Sequence, residues 1–337
     1  MTAQREIRVG VIGVGALGYH HARILRQMPG ARLVGFRESR ADRAAAVEAE
    51  LGVPAFDSLE ALVDGIDAAT IVVPTPSHFE VAKAALERGK HLLIEKPIAT
   101  TLEEADELLA IARRTGALVQ TGHVERFNRA IRAGLPYVDR ARFIESDRLA
   151  PFNPRGSDVA VVLDLMIHDI DLVRTLVGSH VQDVAAVGVP VLTPFVDIAN
   201  ARLRFDDGAV ANITASRVSR ERMRKVRIFQ DSGYLSLDLA NGEGEFFRLR
   251  RDIDLPELAK SARAIEEFVE RVPLTAPEDE PLRLEFESFL EAVRGESPVV
   301  VTGEDGREAL AVALTIVREI ERSLPTLAAG THVAAGA

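Results

Sequence analysis

The 337-residue sequence contains no cysteine, which excludes disulfide bonds and metal sites built on thiolates. It has no uncharged apolar run of the roughly 20 residues that a membrane-spanning helix needs. Its first ten residues lack the basic segment and the apolar core of a signal peptide. From these absences we expect a cytoplasmic protein with no membrane partner.

The sequence also has an excess of negative charge, since it contains 41 basic and 51 acidic residues and its net charge is −10. This balance disfavours a nucleic-acid partner or an anionic membrane surface, although a local group of arginines can still bind an anionic ligand. Only five lysines are present, so a lysine in a suggestive context is easy to notice. The length suits two domains, and the composition is that of an ordinary globular protein.

The first third of the chain alternates strand-like and helix-like segments. Strands are predicted at residues 7–12, 31–36, 69–73, 91–94 and 117–120. Helices are predicted between them, including residues 41–51 and 102–115. Strands that alternate with helices form βαβ units, so we expect an α/β domain with a doubly wound parallel sheet. This Rossmann domain is predicted to span residues 1–121.

The pattern changes after residue 121. A helix is predicted over residues 158–177, and two hairpins follow with turns at Asp206–Gly208 and Asp231–Gly233. Residues 250–281 carry few periodic signals and are predicted to be irregular. Residues 122–337 are therefore expected to form an α+β domain on a mostly antiparallel sheet.

A glycine-rich turn follows the first predicted strand directly and opens a helix. Gly13 permits the tight turn, Gly15 lets the backbone approach a pyrophosphate, and Gly18 lets the helix pack on the strand. The N–H groups at the start of the helix would face the phosphates. Between a strand and a helix this motif predicts dinucleotide binding. The predicted phosphate-binding residues are Gly13, Gly15, Ala16, Leu17 and Gly18.

A carboxylate, Glu38, ends the second predicted strand twenty residues after Gly18. In that position it can accept hydrogen bonds from the adenosine ribose, which favours NAD as cofactor. Arg37 and Arg40 favour NADP, because either guanidinium can meet a 2′-phosphate. We therefore expect NAD, leave NADP open, and include Glu38 and Arg40 in the cofactor site.

Two further loops follow the third and fourth predicted strands. In a doubly wound sheet, ligands bind beyond the carboxyl ends of the strands, so both loops should face the cofactor. Lys96 is a candidate proton donor or acceptor there, because a partly desolvated ammonium can have a depressed pKa. Glu95 would orient a neighbour, and a purely structural lysine is the alternative. The predicted cofactor-binding residues in these loops are Pro74, Thr75, His78 and Glu95.

A second polar cluster lies on the helix predicted at residues 158–177. Asp164, His168 and Asp171 have the i, i+4, i+7 spacing that puts side chains on one helix face. A carboxylate beside an imidazole fixes its tautomer and raises its basicity, as acid–base catalysis requires. With one histidine on this face a metal site is not predicted, and an ordinary polar helix face is the alternative.

Taken in order, these motifs resemble the Gfo/Idh/MocA family of glucose–fructose oxidoreductases and inositol dehydrogenases along nearly the whole chain. The motifs are Gly13–His21, Thr75–His78, Glu95–Pro97 and Asp164-x-x-x-His168. The resemblance implies a Rossmann domain and an open-faced antiparallel sheet used for oligomerisation, hence a homodimer or homotetramer. It also implies hydride transfer between a sugar or cyclitol carbon and the nicotinamide.

The family resemblance implies a role for each of three residues. Lys96, Asp164 and His168 would handle the proton and position the substrate. Which of Lys96 and His168 is the base varies within the family and stays open. Retention of this set argues against the remaining alternative class, a non-catalytic protein that senses dinucleotide or sugar.

Two segments, Gly122–Asn128 and Val162–Leu172, are similar to family members associated with lipopolysaccharide and lipid A sugars. Those members oxidise the 3-hydroxyl of UDP-N-acetylglucosamine, and a free sugar or inositol is the alternative substrate. Arginine suits a pyrophosphate, although a surface or domain-joining role is equally open. Arg129 stands where the family has proline. The implied substrate-binding residues are His123, Arg126, Asn128, Arg155 and Asp171.

Overall fold

The computed structural model describes residues 5–154, 156–249 and 268–323. Contacts divide the chain into two compact units, and both are discontinuous in sequence. The first unit contains residues 1–138 and 235–311, and the second contains residues 139–234 and 312–337. The predicted domain boundary after residue 121 stays a prediction. The contacts group residues 122–138 and 235–311 with the N-terminal part of the chain.

A five-stranded parallel sheet forms the centre of the first unit. Its strands are β1 (Ile7–Ile12), β2 (Ala31–Arg37), β3 (Ala68–Ile71), β4 (His91–Glu95) and β5 (Val119–Gly122). They are arranged in the order β2-β1-β3-β4-β5. All four residues of β3 are buried, as expected for a strand covered on both faces. The predicted doubly wound parallel sheet is confirmed.

Six helices connect or follow these strands. They are α1 (Ala16–Gln27), α2 (Ala41–Leu51), α3 (Leu59–Asp64), α4 (His78–Leu86), α5 (Leu102–Thr115) and α6 (Arg129–Gly134). Local sequence explains their ends. The Thr101 hydroxyl accepts a hydrogen bond from the N–H of Glu104 (3.2 Å) and the Glu104 carboxylate accepts one from the N–H of Thr101 (3.2 Å), a capping box that starts α5. Gly116, in the left-handed conformation, ends α5.

The second sheet has eight strands and is mostly antiparallel, as predicted. Its strands are β6 (Phe143–Leu149), β7 (Val181–Val189), β8 (Ile198–Phe205), β9 (Val210–Ser216), β10 (Met223–Gln230), β11 (Gly233–Asp238), β12 (Glu243–Leu249) and β13 (Val269–Leu274). Their order is β13-β12-β11-β10-β6-β9-β8-β7, and β6 and β9 are parallel. Burial alternates along β8, so one face of this strand is packed and the other is open.

Strand β13 corrects the prediction that residues 250–281 are irregular. It pairs with β12 through cross-strand ion pairs, including Arg248 Nε to Glu270 Oε2 at 2.9 Å and a contact of Arg271 with Glu245. Because charged pairs replace apolar alternation on these strands, the sequence carries no strand pattern there. Residues 250–267 of that segment lie outside the described residues.

The remaining helices are a π-helical turn at Val162–Met166 followed by α7 (Ile167–Val177), then α8 (Pro281–Arg294) and α9 (Gly303–Ser323). Phe286, Phe289 and Leu290 of α8 belong to the hydrophobic core formed by β1 and α1. This packing explains why contacts place a late segment in the first unit. None of the described helices has the length and hydropathy that crossing a membrane requires.

Candidate dinucleotide and catalytic site

The glycine turn after β1 has the tight geometry expected from the sequence. Gly13 has a φ of 89°, and its N–H donates to the carbonyl of Arg37 at 2.8 Å. A Cβ atom on Gly18 would lie 1.9 Å from the Gly13 carbonyl oxygen, so α1 approaches the turn too closely for any side chain. A Cβ atom on Gly15 would meet no atom within 4 Å, which leaves open space beside the middle glycine.

The N-terminus of α1 carries no capping or acidic side chain of its own. Its N-cap is Gly15, no side chain caps it, and its first turn holds no acidic residue. The N–H groups at this end and the positive end of the helix dipole can therefore receive a phosphate. Ala16 is exposed and Leu17 is half-buried at the same end.

Glu38 is held against this turn at the end of β2. Its carboxylate accepts hydrogen bonds from the N–H of Val14 (3.1 Å) and the N–H of Arg40 (3.1 Å). Burial raises the pKa of Glu38, but these two bonds and the Arg40 guanidinium at 3.7 Å outweigh it, so the pKa is lowered. The side chain is thus an ordered anion where the sequence predicts a ribose-binding carboxylate.

Arg43 supports the same turn and was not identified from the sequence. Its Nε donates to the carbonyl of Val14 at 2.8 Å, and its guanidinium lies 5.6 Å from the centre of the Tyr19 ring. Nothing in the pattern of α2 distinguishes this arginine from the exposed residues beside it. Its bond fixes the backbone of the turn from the side of α2.

His78 joins the loops that follow β3 and β4. Its Nδ1 lies 2.9 Å from the carbonyl oxygen of Pro97 and its Nε2 lies 2.9 Å from that of Val73. Burial lowers the pKa of His78, although the two carbonyls and the charge of Glu95 oppose that shift. The imidazole therefore fixes the loops. Pro74 and Thr75, which begin the loop after β3, are exposed and half-buried respectively.

Glu95 is buried just before Lys96. Its Oε1 lies 3.3 Å from Nε2 of His21, and its Oε2 accepts a hydrogen bond from the N–H of Lys96 at 3.3 Å. Burial raises the pKa of Glu95, but the bond to His21 and the charges of His21 and Lys96 outweigh it, so the pKa is lowered. A Cβ atom on Gly122 would lie 2.9 Å from this carboxylate. The half-exposed Lys96 precedes a cis peptide bond to Pro97.

The segment after β5 is fixed by side chains that the family resemblance placed in the substrate site. Nδ2 of Asn128 donates to Glu125 (3.1 Å) and to the carbonyl of Leu239 (2.9 Å), and its Oδ1 accepts the N–H of Ala130 at the start of α6. Every polar atom of this buried side chain is thus bonded to protein. Asn128 therefore caps α6 and anchors this segment, and its substrate contact stays a prediction.

Arg126 also has protein partners. It donates to the carbonyl of Val300 at 3.2 Å and lies 3.5 Å from Oδ2 of Asp305. Both partners belong to the same unit as Arg126. His123 is buried beside this segment. Arg155 lies outside the described residues.

In the second unit, Asp164 lies on the π-helical turn and His168 lies in the first turn of α7, and both are half-buried. Helical structure begins at residue 161, which corrects the predicted start at residue 158. Gly156, with a φ of 79°, packs against Asp164, since a Cβ atom there would lie 2.7 Å from Oδ2. π-Helical turns are frequent at functional sites.

Asp171 differs from the other two residues of the predicted helix face. Its side chain is fully buried, whereas Asp164 and His168 are half-buried. The substrate contact of Asp171 stays a prediction. Its neighbour Asp169 is also buried and pairs with Arg148, with Nε to Oδ2 at 2.6 Å and Nη2 to Oδ1 at 3.2 Å. That pair attaches α7 to β6.

A second buried pair fixes the chain ahead of Asp164. The Arg217 guanidinium donates to the carbonyls of Gly156 and Val159, and its Nε lies 3.5 Å from Oδ1 of Asp197. Burial raises the pKa of Asp197, but hydrogen bonds from the N–H groups of residues 191–193 outweigh it and lower the pKa to about 2. These residues lie too far apart in sequence for the pairing to be predicted.

Among residues 5–154, 156–249 and 268–323, no three histidine, aspartate or glutamate side chains are grouped closely enough to hold a metal ion.

Comparison with family models gives two matches. Residues 7–123 match the model described as the oxidoreductase family with an NAD-binding Rossmann fold, GFO_IDH_MocA. Residues 140–236 match the C-terminal domain model of the same family. The N-terminal match contains the glycine turn, Glu38, Glu95 and Lys96, and the C-terminal match contains Asp164 and His168.

Known proteins are similar to this chain over almost its whole length. UDP-N-acetylglucosamine 3-dehydrogenase from Acidithiobacillus ferrooxidans is 39% identical, covering 95% of this chain and 99% of that protein. A solved structure of that enzyme has a TM-score of 0.87 and covers 94% of this chain and 98% of its own. scyllo-Inositol 2-dehydrogenase (NAD+) from Bacillus subtilis is 29% identical, covering 96% of each chain.

Proposed function

The chain belongs to the Gfo/Idh/MocA family of NAD-binding oxidoreductases, and from this premise we propose that it oxidises the 3-hydroxyl of UDP-N-acetylglucosamine. The choice of substrate rests on the 39% identity, over 95% of this chain, to UDP-N-acetylglucosamine 3-dehydrogenase. The product would be the 3-keto nucleotide sugar. A ketone at that carbon is the form that an aminotransferase can use, which fits a role in lipopolysaccharide sugar formation in the cytoplasm.

The glycine turn and Glu38 are proposed to hold the dinucleotide. Gly13, Gly15, Ala16, Leu17 and Gly18 would receive the pyrophosphate, and Glu38 with Arg40 the adenosine ribose. The open space beside Gly15 and the uncapped start of α1 fit this ligand. Pro74 and Thr75 would border the nicotinamide half, with His78 and Glu95 behind them. When bound, NAD+ supplies the hydride acceptor.

Lys96, Asp164 and His168 are proposed as the proton-handling group. Oxidation of the alcohol removes a hydride from C3 and a proton from its hydroxyl, which leaves a carbon–oxygen double bond. Either Lys96 or His168 takes the proton, and Asp164 orients the imidazole. His123, Arg126 and Arg155 are proposed to border the substrate, because cationic and hydrogen-bonding groups suit a nucleotide diphosphate.

The test is incubation of the protein and NAD+ with UDP-N-acetylglucosamine or with myo-inositol, followed by mass spectrometry. The proposal expects the nucleotide sugar to lose two hydrogens while NADH absorbance rises. Loss of two hydrogens from inositol alone would support the second candidate, which the 29% identity to scyllo-inositol 2-dehydrogenase favours. Tight NAD binding with no NADH formed from any sugar would instead support a sensor.

A homo-oligomer is proposed as the working form. Large apolar side chains are exposed on β7, an edge strand, and on the loop after it, which is unusual for a surface that faces only water. These residues are Val187, Val189, Val191, Leu192 and Phe195. Light scattering on the purified protein distinguishes a dimer or tetramer from a monomer.

A further inference from the structure

Two buried histidines hold the turn that carries Lys96, one on each side. His21 of α1 is 0% exposed and lies 3.3 Å from the carboxylate of Glu95, the residue before Lys96. His78 of α4 is 1% exposed and lies 2.9 Å from the carbonyl of Pro97, the residue after Lys96. The peptide on either side of the ammonium is thus tied to a different helix.

Burial of the Glu95 carboxylate has a large desolvation free energy. An ionised carboxylate removed from water is tolerated only where partners compensate it. Here His21 and the N–H of Lys96 provide that compensation, and the missing side chain of Gly122 leaves the room for it. An apolar residue would be buried here with a smaller loss of solvation free energy. The presence of a charge at this position is therefore better explained by function than by stability.

His21 itself is fixed in orientation. Its ring meets the ring of Phe286 edge to face, with centroids 5.0 Å apart and planes at 85°. Phe286 lies fully buried in the core under β1. The imidazole therefore presents Nε2 to Glu95 from a rigid support.

We propose that His21 and Glu95 are positioning residues for Lys96, with His21 fixing the carboxylate and the carboxylate fixing the turn and the ammonium it carries. The proposal rests on the proposed catalytic role of Lys96. His78 supports the far side of the same turn. None of the three needs to touch substrate or cofactor to act in this way.

Among the described residues, the titratable groups recorded as acting on Glu95 come from three elements. They are His21 on α1, His78 on α4 and Lys96 on the loop itself. Besides His21, the charge of Lys96 contributes to lowering the pKa of the Glu95 carboxyl, and this part of the attraction is mutual, so the carboxylate also stabilises the charged form of the lysine. Removing the carboxylate should therefore make Lys96 lose its proton at a lower pH.

The small number of lysines makes this effect directly measurable. Only five are present, so selective ¹³C labelling of lysine gives few side-chain signals, and Lys96→Met assigns the signal of interest. In Glu95→Gln the titration midpoint of Lys96 should fall by about one pH unit, a tenfold change in proton affinity. His91→Gln is the matched control, because His91 is on the same strand and accepts the N–H of Leu118 at 3.0 Å.

Turnover provides the second readout. His21→Ala should lower kcat about tenfold and shift its pH profile in the direction of the Lys96 titration, with NADH affinity unchanged. His21→Gln keeps an N–H donor and should recover part of the loss. Thermal unfolding is followed for each variant.

An unshifted Lys96 titration in Glu95→Gln, together with kcat equal to that of His91→Gln, overturns the positioning role. If Glu95→Gln does not fold, Glu95→Asp keeps the charge but withdraws it from His21, and the absence of any change in the Lys96 signal or in kcat is equally decisive. Normal turnover in Lys96→Met would instead remove the proposed catalytic role, and the titration would still report whether the pair acts on the lysine.

Discussion

The carboxylate of Glu38 and the backbone N–H of Val14 form a 3.1 Å hydrogen bond that joins the end of β2 to the glycine turn after β1. The second oxygen accepts the N–H of Arg40 at 3.1 Å, so the carboxylate cannot rotate away without losing both bonds. Because the pKa of Glu38 is lowered, the group is an anion at neutral pH. A fixed negative charge at this position accepts ribose hydroxyls and repels a 2′-phosphate.

Replacing Glu38 with Gln should therefore change the choice of cofactor. Loss of a charged hydrogen-bond acceptor costs about 1.5–3 kcal/mol, which corresponds to roughly a 10- to 100-fold loss of NAD affinity. The affinity for NADP should rise relative to that for NAD, because the repulsion between the Glu38 carboxylate and the 2′-phosphate is removed. The measurement is kcat/KM for both cofactors, with Glu60→Gln on the exposed side of α3 as the control. An unchanged NAD to NADP ratio would remove Glu38 from the cofactor site.

Gly15→Ala and Gly18→Ala should have different effects, the first on cofactor affinity and the second on stability. The added Cβ at position 18 would lie 1.9 Å from the Gly13 carbonyl oxygen, so Gly18→Ala should destabilise the fold by several kcal/mol. The added Cβ at position 15 would meet open space, and the φ of −60° suits alanine. Gly15→Ala should therefore unfold like the wild type but bind NADH at least tenfold more weakly.

Thermal unfolding and NADH fluorescence titration test this pair together. Wild-type NADH affinity in Gly15→Ala would show that the pyrophosphate does not approach the middle glycine. Wild-type stability in Gly18→Ala would show that α1 can move away from the turn.

Much of the first unit could be predicted because its signals are local. Helices α2 and α5 have the predicted bounds of residues 41–51 and 102–115, since left-handed glycines mark the C-terminal ends of both and a capping box marks the start of α5. The glycine turn was predictable because the left-handed φ of Gly13 and the close approach of Gly18 to the Gly13 carbonyl both require glycine. The buried β3 was predicted as residues 69–73 and forms at Ala68–Ile71.

The features that escaped prediction depend on contacts between distant residues. The contact of the Glu95 carboxylate with His21, seventy-four positions away in sequence, was not predicted. The hydrogen bond from the Asn128 amide to the carbonyl of Leu239 and the burial of Asp171 were likewise not predicted. Pairing across the chain follows from tertiary packing, which no local period encodes.

Acid should reveal the contribution of Asp197 to stability. Its pKa is lowered to about 2 from 3.8, so the stability it contributes is present above pH 3.8 and is lost as the pH falls towards 2. Asp197→Asn should cost on the order of 1 kcal/mol or more at pH 7, and the difference from wild type should narrow in acid. Urea unfolding at several pH values measures it, with Asp183→Asn on the exposed edge strand as the control. A difference that does not depend on pH would contradict the role of the anion.

Burial of His78 should make the fold sensitive to mild acid. Its pKa is lowered in the folded protein. As the pH falls below the usual value of 6.5, His78 is therefore protonated in the unfolded chain while it stays neutral in the folded one. The stability from neutral His78 is therefore present above pH 6.5 and declines as the pH falls below it. In His78→Gln the free energy of unfolding should fall less steeply between pH 7.5 and 5 than in wild type or in His20→Gln, which alters an exposed histidine. Equal slopes in all three proteins would show that His78 accepts a proton without cost.

The most direct test of the whole account is a single-turnover measurement of NADH formation by Lys96→Met with UDP-N-acetylglucosamine. Removing a group that transfers the proton should slow NADH formation by about 10²- to 10⁴-fold, while NAD affinity changes less than about threefold. NADH formation at the wild-type rate would contradict the assignment of Lys96 and, with it, the proposed chemistry.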